Sequence, residues 1–410
     1  MNRYETYKDS GIPWLGDVPE HWEVKRLKFL ARIQNGADYK HVETNDGYPV
    51  IGSGGQFAYA NSYLYDGESV LLGRKGTIDK PLYVNGKFWT VDTMYYTEIL
   101  KNTYPKYLYY LTLTIDFGKY STQTALPSMT QTALNNLVFA VPHYKEQTAI
   151  AHYLDTKLGE IDALIGKQQT LLEKLAEQRT AVITHAVTKG LNPAAPMKKS
   201  GVEWLGDVPA HWDIKHSNQI FKIHNGATPK TSEPDYWGDE IVWFTPKDLG
   251  DNQNKEISTS LKMITKEGYE NCGVSLAPAK SIVLSKRAPI GHLAITLLPA
   301  VVNQGCFLLE VLAPNDVNYL YYWLYANKTT LNSFGQGSTF MELPREKFAM
   351  LKISTPPKDE QTSIAEYLDQ ETAKIDRLCE TVNQTIGRLK EYRTALITQA
   401  VTGKIKVTDE

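Results

Sequence analysis

The stretch Gly11–Ala37, GIPWLGDVPEHWEVKRLKFLARIQNGA, returns later in the chain as Gly201–Ala227, GVEWLGDVPAHWDIKHSNQIFKIHNGA. These two tryptophan segments share 14 of 27 residues at an offset of 190. Glu146–Leu191 and Glu360–Ile405 form a second pair, with 21 of 46 residues identical at an offset of 214. Solenoid repeats are only about 20–50 residues long. The pattern therefore predicts a duplicated half-molecule, in which one architecture recognises two different things.

Each half has the same order: a tryptophan segment, a divergent middle and a long helix. The tryptophans of each segment, Trp14 with Trp22 and Trp204 with Trp212, are expected to anchor a loop on the core. The Asn-Gly pairs that close the segments predict turns. The middles, 38–145 and 228–359, alternate short apolar runs with Gly, Pro and Asn, which is typical of strands. Strands are predicted at 69–73, 95–100, 281–285 and 306–311, and short helices at 104–113 and 317–325.

The repeated C-terminal part of each half carries apolar residues at heptad spacing, which calls for a partner helix. About 35 residues at 1.5 Å per residue give a rod of roughly 50 Å. We predict a mixed α/β (α+β) protein with two globular domains in a pseudo-two-fold arrangement, joined by an antiparallel pair of long coiled-coil helices; the resemblance described below implies that these are target-recognition domains. The predicted divisions are a first globular domain at 1–145, a long helix at 146–190, a second globular domain at 191–359 and a second long helix at 360–405. The candidate interface residues of the helix pair are Leu154, Ile161, Leu172, Leu175, Arg179, Leu368, Ile375, Ile386, Leu389 and Arg393.

Composition constrains the class of protein. A net charge of −2 is not the global signature of a nucleic-acid binder, so such binding requires local basic faces or a basic partner. The three cysteines, Cys272, Cys306 and Cys379, form no disulfide framework and favour a reducing cytoplasm. No stretch approaches the roughly 20 apolar residues of a membrane span, and the N-terminus does not resemble a signal peptide.

Catalytic motifs were sought and not found in the sequence. It contains no phosphate-binding GxxxxGK[ST] loop, no GxGxxG and no HExxH or Cys/His cluster, so no cofactor and no metal site are predicted. Glu23-Val24-Lys25 and Asp213-Ile214-Lys215 match the acidic-x-Lys fragment of some metal-dependent nucleases. Such a site also needs a second carboxylate, for which only Asp17 and Asp207 are at hand. Charges alternating outward on a half-buried strand explain the fragment better.

Basic residues do follow an apolar strand in each middle. Such pairs at a strand-to-loop junction can reach phosphates or a guanine edge, although an ordinary solvated turn gives the same pattern. A loop late in each middle, FGxxSTxxxLP, adds hydroxyl groups. The candidate DNA-binding residues are Arg74, Lys75, Ser121, Thr122, Gln123, Lys286, Arg287, Ser338 and Thr339.

Taken together, the chain resembles the DNA-specificity subunit of Type I restriction–modification systems over essentially its full length. The resemblance rests on the duplicated WLGDVPxHW, the basic strand-to-loop pairs and the Pro-x-x-x-Glu-Gln motif before each long helix. That motif spans Pro142–Gln147 and Pro357–Gln361, and its spacing differs by one residue. Arg-Thr-Ala-Val/Leu-Ile-Thr near the end of each helix adds to it.

The resemblance implies a non-catalytic subunit in which each domain recognises one half of a split site on double-stranded DNA. The paired helices would set the length of DNA between the two half-sites, and they would bind two modification subunits. Adenine methylation and ATP-dependent cleavage would belong to separate modification and restriction subunits, which would hold S-adenosylmethionine and ATP.

Two other classes were considered. A single-chain nuclease or methyltransferase with a coiled-coil insert is one alternative. An adenine methyltransferase should carry an Asn/Asp-Pro-Pro-aromatic motif, whereas Pro356-Pro357 is followed by Lys358. A purely structural scaffold does not explain why the frames are duplicated while the middles diverge.

Overall fold

A computed structural model describes residues 3–121, 127–287, 289–337 and 341–407. The chain divides into two compact units. Unit 1 comprises Met1–Gln169 with Asn383–Glu410, and unit 2 comprises Thr170–Val382. Each long helix therefore contributes one part to each unit. The predicted four-part division by function is of a different kind and stays a prediction.

Unit 1 is built on two sheets. One has the strand order β10-β9-β12-β4, and the other the order β5-β7-β6-β11-β8, in which β11 is parallel to β6. Two-stranded pairs β1-β2 and β13-β3 complete it. The strands are β1 Tyr7–Asp9, β2 Asp17–Pro19, β3 Glu23–Arg26, β4 Ala31–Asn35, β5 Glu43–Thr44, β6 Tyr48–Gly52, β7 Gly55–Ala60, β8 Tyr65–Asp66, β9 Ser69–Gly73, β10 Leu82–Val84, β11 Lys87–Thr90, β12 Met94–Ile99 and β13 Val138–Val141.

Unit 2 repeats this plan with sheets β17-β25-β22-β23-β20 and β18-β21-β19-β24 and pairs β14-β15 and β16-β26. Its strands are β14 Met197–Lys199, β15 Asp207–Pro209, β16 Asp213–His216, β17 Phe221–Asn225, β18 Trp237–Gly238, β19 Ile241–Phe244, β20 Glu256–Ile257, β21 Met263–Ile264, β22 Ile282–Ser285, β23 Leu293–Thr296, β24 Ala300–Val302, β25 Cys306–Val311 and β26 Lys352–Thr355.

The helices complete a mixed α/β architecture, which confirms the predicted class. They are α1 Pro105–Thr112, α2 Phe117–Tyr120, α3 Gln131–Asn136, α4 Tyr144–Lys189, α5 Pro246–Asp251, α6 Lys266–Glu270, α7 Val317–Ala326, α8 Lys328–Ser333, α9 Arg345–Ala349 and α10 Lys358–Val401. The predicted strands at 69–73, 95–100, 281–285 and 306–311 correspond to β9, β12, β22 and β25. The predicted short helices correspond to α1 and α7.

Within each unit, parts of α4 and α10 pack side by side and run in opposite directions. In unit 1, Arg393 Nε contacts Asp162 Oδ1 at 3.2 Å. In unit 2, Arg179 pairs with Asp376 and donates to the Thr372 carbonyl at 3.3 Å. The predicted helix-pair residues all lie on the covered faces. Leu154, Ile161, Leu175, Leu368, Ile375 and Ile386 are buried, and Leu172, Arg179, Leu389 and Arg393 are half-buried.

The tryptophan segments anchor each unit. Trp22 and Trp212 are fully buried, whereas Trp14 is 45% exposed and Trp204 is 37% exposed. The expectation that both rings sit on the core is therefore wrong for Trp14, while Trp204 packs edge-on against the buried Trp323 with ring centres 5.9 Å apart.

The turns predicted at the Asn-Gly pairs are wrong, because Asn35 and Asn225 end strands β4 and β17 and the chain continues past them without a turn. The glycines allow a close approach of two backbones instead, since a Cβ at Gly36 would lie 2.0 Å from the Val91 carbonyl oxygen and one at Gly226 would lie 1.9 Å from the Asn303 carbonyl oxygen.

A Glu-Gln dipeptide near the start of each long helix joins the helix to its domain. Glu146 accepts hydrogen bonds from Trp22 Nε1 at 3.2 Å and faces His21 Nε2 at 2.8 Å. Glu360 repeats both contacts, at 3.1 Å to Trp212 Nε1 and 2.7 Å to His211 Nε2. In each repeat, the His-Trp motif therefore contacts the glutamate of the Glu-Gln motif.

The glutamine of each dipeptide fixes the start of a domain helix. Gln147 accepts from the Tyr104 N–H, and Gln361 from the Asp316 N–H, both at 2.8 Å. Their amides donate to the carbonyls of Pro142 and Pro356, both at 2.9 Å. Pro356, and not Pro357, is therefore the counterpart of Pro142, and the predicted one-residue difference in spacing is wrong.

Each domain also contacts the last turn of the other repeat's helix. Tyr107 Oη lies 3.4 Å from the Val401 carbonyl in unit 1, and Tyr319 Oη lies 3.3 Å from the Val187 carbonyl in unit 2. Glycine with positive φ follows both helices, at Gly190 and Gly403. A glycine with positive φ just after the last helical turn is a common helix ending, and Gly190 follows Lys189, the last residue of α4.

Candidate nucleic-acid interface

Arg74 and Lys75 leave the end of β9 in a corner that backbone hydrogen bonds hold in place. The Arg74 N–H donates to the Thr93 carbonyl at 2.8 Å, and the Arg74 carbonyl accepts from the Met129 N–H at 3.0 Å. The guanidinium lies 5.9 Å from the centre of the Tyr95 ring and donates to the Asp92 carbonyl at 3.2 Å. Arg74 is half-buried and Lys75 is exposed, so the pair is positioned while remaining accessible.

The second unit builds the same corner at the end of β22. The Lys286 N–H donates to the Gly305 carbonyl, and the Lys286 carbonyl accepts from the Leu343 N–H, both at 2.8 Å. Lys286 Nζ lies 5.0 Å from the centre of the Phe307 ring, as Arg74 lies over Tyr95. The backbone of Arg287 forms an isolated antiparallel β-bridge with Glu342, as the backbone of Lys75 does with Ser128. The two predicted basic pairs therefore occupy equivalent places in the two units.

The two corners differ in charge. Glu342 binds Lys286 Nζ through Oε1 and Arg287 Nε through Oε2, each at 2.9 Å. Burial acts to raise the pKa of the Glu342 carboxyl, but hydrogen bonds and charge from the two cations lower it below its usual value. The corresponding residue in unit 1 is Ser128, an uncharged side chain. The second pair is therefore partly neutralised, which the sequence analysis did not foresee.

An aromatic side chain lies beside the unit 1 corner and was not predicted from the sequence. Phe57, on the hairpin β6–β7, is 56% exposed and packs edge-on against Tyr39 at 5.3 Å between ring centres. A Cβ at Gly52 would contact both the Phe57 ring and Val91, which places Phe57 next to the 90–93 loop that holds Arg74. The glycine-rich run 52–55 forms the turn of this hairpin.

Unit 2 has a comparable aromatic cluster on its four-stranded sheet. Trp237 packs edge-on against Trp243 with ring centres 5.2 Å apart, and Lys262 Nζ lies 5.3 Å from the Trp237 ring centre. Trp243 Nε1 donates to the Ala227 carbonyl at 2.9 Å, directly after the Asn225-Gly226 pair. The sequence signal for the unit 2 cluster would have been Trp237 and Trp243, two tryptophans close together in the divergent middle.

The predicted hydroxyl loops fall mostly outside the part of the chain that the structure describes. Thr122, Gln123, Ser338 and Thr339 lie outside the described residues. Ser121 is half-buried directly after α2, where its N–H donates to the Phe117 carbonyl at 2.9 Å. The assignment of these loops to DNA binding stays a prediction.

The acidic-x-Lys fragments are charge pairs on edge strands. Glu23 and Lys25 contact each other at 2.5 Å on β3, and Asp213 and Lys215 at 3.9 Å on β16. In the described parts of the chain, no group of three His, Cys, Asp or Glu side chains is arranged to hold a metal ion. No helix in those same parts is long and apolar enough to cross a bilayer.

Comparison with known proteins agrees with the two-domain organisation. The family described as the Type I restriction modification DNA specificity domain matches residues 19–174 and 209–388. The Type I restriction enzyme MjaIX specificity subunit of Methanocaldococcus jannaschii is 36% identical over 170 residues, which is 40% of this chain and 38% of that protein. The putative MjaX specificity subunit of the same organism is 24% identical over 98% of this chain and 97% of its own length. The EcoDI specificity subunit of Escherichia coli is 23% identical over 95% and 90%.

Solved structures share the fold. A structure described as showing complex assembly and conformational transition of a Type I restriction–modification system matches 95% of this chain and 99% of its own, with a TM-score of 0.74 and 16% identity. The HsdS subunit from Thermoanaerobacter tengcongensis matches 95% and 98%, with a TM-score of 0.56 and 17% identity.

Proposed function

Because this chain belongs to the family of Type I restriction–modification DNA-specificity proteins, we propose that it recognises a bipartite DNA sequence as the non-catalytic specificity subunit of such a system. Each unit recognises one half of the site. The observation that carries the proposal is the pair of equivalent basic corners, Arg74 with Lys75 and Lys286 with Arg287, at the ends of β9 and β22.

The chemistry of the corners suits a DNA duplex. An arginine held by its backbone and resting on an aromatic ring loses little freedom when it donates to phosphates or to guanine O6 and N7. Phe57, beside the unit 1 corner, and Trp237, on the four-stranded sheet of unit 2, offer apolar surface for thymine methyl groups or for a base step. Recognition then depends on side chains of the divergent middles, whereas the duplicated frames hold them in place.

Partners supply the reactions. We assign adenine methylation to modification subunits that bind S-adenosylmethionine, and cleavage to restriction subunits that bind ATP, in the cytoplasm. Two copies of the modification subunit are favoured by duplicated exposed apolar residues on the long helices. Leu164 and Leu378, 46% and 53% exposed, occupy equivalent positions at the offset of 214. Each offers the same contact to a copy of one partner.

The proposal is tested by co-expressing the chain with its modification subunit and mapping methylated adenines across a host genome. We expect one split motif with two specified halves and a fixed gap. Methylation that is absent, or that follows a single undivided motif, contradicts the proposal.

Substitution tests the corners directly. Arg74→Ala and Arg287→Ala should each weaken binding to the methylated motif, by about 1–3 kcal/mol where the contact is bidentate to a base. A phosphate contact instead weakens binding to every sequence and lowers the salt dependence. Lys198→Ala, at an exposed position in β14, is the matched control. Arginine variants with the affinity of this control would exclude the corners from the DNA interface.

A further inference from the structure

Glu342 is the feature that distinguishes the two otherwise equivalent corners. It comes from the loop before α9, while Lys286 and Arg287 follow β22, and the two segments meet through the bridge between Arg287 and Glu342. The Leu343 N–H, next in the chain, donates to the Lys286 carbonyl at 2.8 Å. The carboxylate is thus fixed beside the cations by the backbone and not only by charge.

The two cations are engaged differently. Lys286 has a side chain that is only 14% exposed, lies over Phe307 and is the more enclosed partner. The Arg287 side chain is 47% exposed, and the ion pair described for it uses Nε. Because this ion pair engages Nε, the two Nη groups of the guanidinium are left to donate elsewhere, next to a carboxylate that can accept further hydrogen bonds.

We infer that Glu342 is a specificity-determining residue of the second recognition domain, because it restrains Arg287 and repels DNA that offers only acceptors. This inference rests on the proposed function. Phosphate oxygens accept and do not donate, so a carboxylate at the interface disfavours binding through the backbone alone. A base pair with a donor beside acceptors satisfies both groups at once.

The G·C pair has that arrangement in the major groove. Guanine O6 and N7 accept from the Arg287 guanidinium, and cytosine N4 donates to the Glu342 carboxylate. The corner of unit 1, with Ser128 in the equivalent place, lacks this acidic group and depends more on net positive charge. The half-site recognised by unit 2 should therefore contain a G·C pair that depends on Glu342.

The test uses the full chain in complex with its modification subunit. The wild-type complex first selects duplexes from a random pool of double-stranded DNA, and binding of the selected duplex and of the unselected pool is then measured against salt. Glu342→Gln keeps the shape of the side chain and removes its charge. Glu346→Gln, in α9, removes the same charge four residues away and is the matched control.

For Glu342→Gln we expect tighter binding to the unselected pool and a salt slope steeper by about 0.9–1.8, which corresponds to one or two more phosphate contacts. The preference for the selected duplex should fall about tenfold, with one G·C position relaxed in a fresh selection. Glu342→Asp should restore part of that preference. Ser128→Glu, compared with Ser128→Gln, should make the opposite change in salt slope.

Different outcomes refute the proposed function and the role of Glu342. If the wild-type complex selects no motif, the proposed function itself is refuted. If the wild type selects a motif but Glu342→Gln gives the motif and salt slope of the Glu346→Gln control, the role of Glu342 is refuted.

Discussion

Glu146 gives the sharpest prediction about what holds a domain to its helix. Its carboxylate accepts from Tyr4 Oη at 2.7 Å and Trp22 Nε1 at 3.2 Å, and it faces His21 Nε2 at 2.8 Å. Trp22 is fully buried. Glu146→Ala therefore leaves an indole N–H in the interior without its acceptor, while the half-exposed His21 can turn to water.

The magnitude follows from these contacts. A buried donor without an acceptor costs about 1–3 kcal/mol, and the Tyr4 hydrogen bond contributes about 1 kcal/mol more. We expect Glu146→Ala to lower the local free energy of unfolding in unit 1 by about 2–4 kcal/mol. Glu360 has the equivalent tryptophan and histidine contacts, but Ala194 stands where the first repeat has Tyr4.

The second repeat supplies the comparison. Glu360→Ala should cost about 1–3 kcal/mol in unit 2, and Tyr4→Phe alone should account for the difference of about 1 kcal/mol. Hydrogen exchange with mass spectrometry measures each unit separately, which matters because a chain of two units need not unfold in one step. Glu173→Ala, at an exposed position of α4, is the control. Equal losses from Glu146→Ala and Glu360→Ala, or a loss below about 1 kcal/mol for Glu146→Ala, would refute the reasoning.

Three further predictions concern modularity, spacing and pH. Replacing 38–145 or 228–359 by the middle of a relative should change one half of the methylated motif, and a change in both halves would contradict modularity. Inserting four residues between Leu172 and Leu175 lengthens the first long helix by about 6 Å. Mapping of methylated adenines should then find the two half-sites separated by nearly two more base pairs, at about 3.4 Å each. An active variant with the original separation would contradict this. Burial acts to raise the pKa of Asp316, but the Lys358 ammonium and two backbone N–H donors lower it. Its stabilisation of unit 2 is therefore present above its unfolded pKa of about 3.9 and lost as pH falls through the lower folded value. Asp316→Asn, which still caps α7, should lose less stability in acid denaturation than the wild type does.

The long helices were predictable because their signal is local and repeated. Heptad spacing places Leu154, Ile161 and Leu175 on one face without knowledge of the partner, and the structure covers that face in both helices. The strands β9, β12, β22 and β25 were equally predictable from the sequence, because each is a short apolar run bounded by turns. Because the tryptophan segments and long helices occur twice, each of these elements could be predicted from two stretches of sequence.

The contacts that tune the candidate site were not predictable, because they join distant parts of the chain. Glu342 reaches Arg287 across 55 residues of sequence, and nothing in its surroundings signals a carboxylate beside a basic pair. Phe57 looks like any strand residue until the hairpin brings it next to the loop that holds Arg74. The exposed positions of Trp14 and Trp204 likewise depend on packing that repetition alone does not reveal.

The matched anchors have a consequence for inheritance. Glu146 and Glu360 hold equivalent tryptophans, and Gln147 and Gln361 hold equivalent helix starts. A genetic crossover within these shared stretches joins a foreign middle to a frame that already fits it. New target sequences can then arise in one recombination event, with the folding contacts intact, whereas stepwise point substitution must pass through intermediates that recognise neither site well.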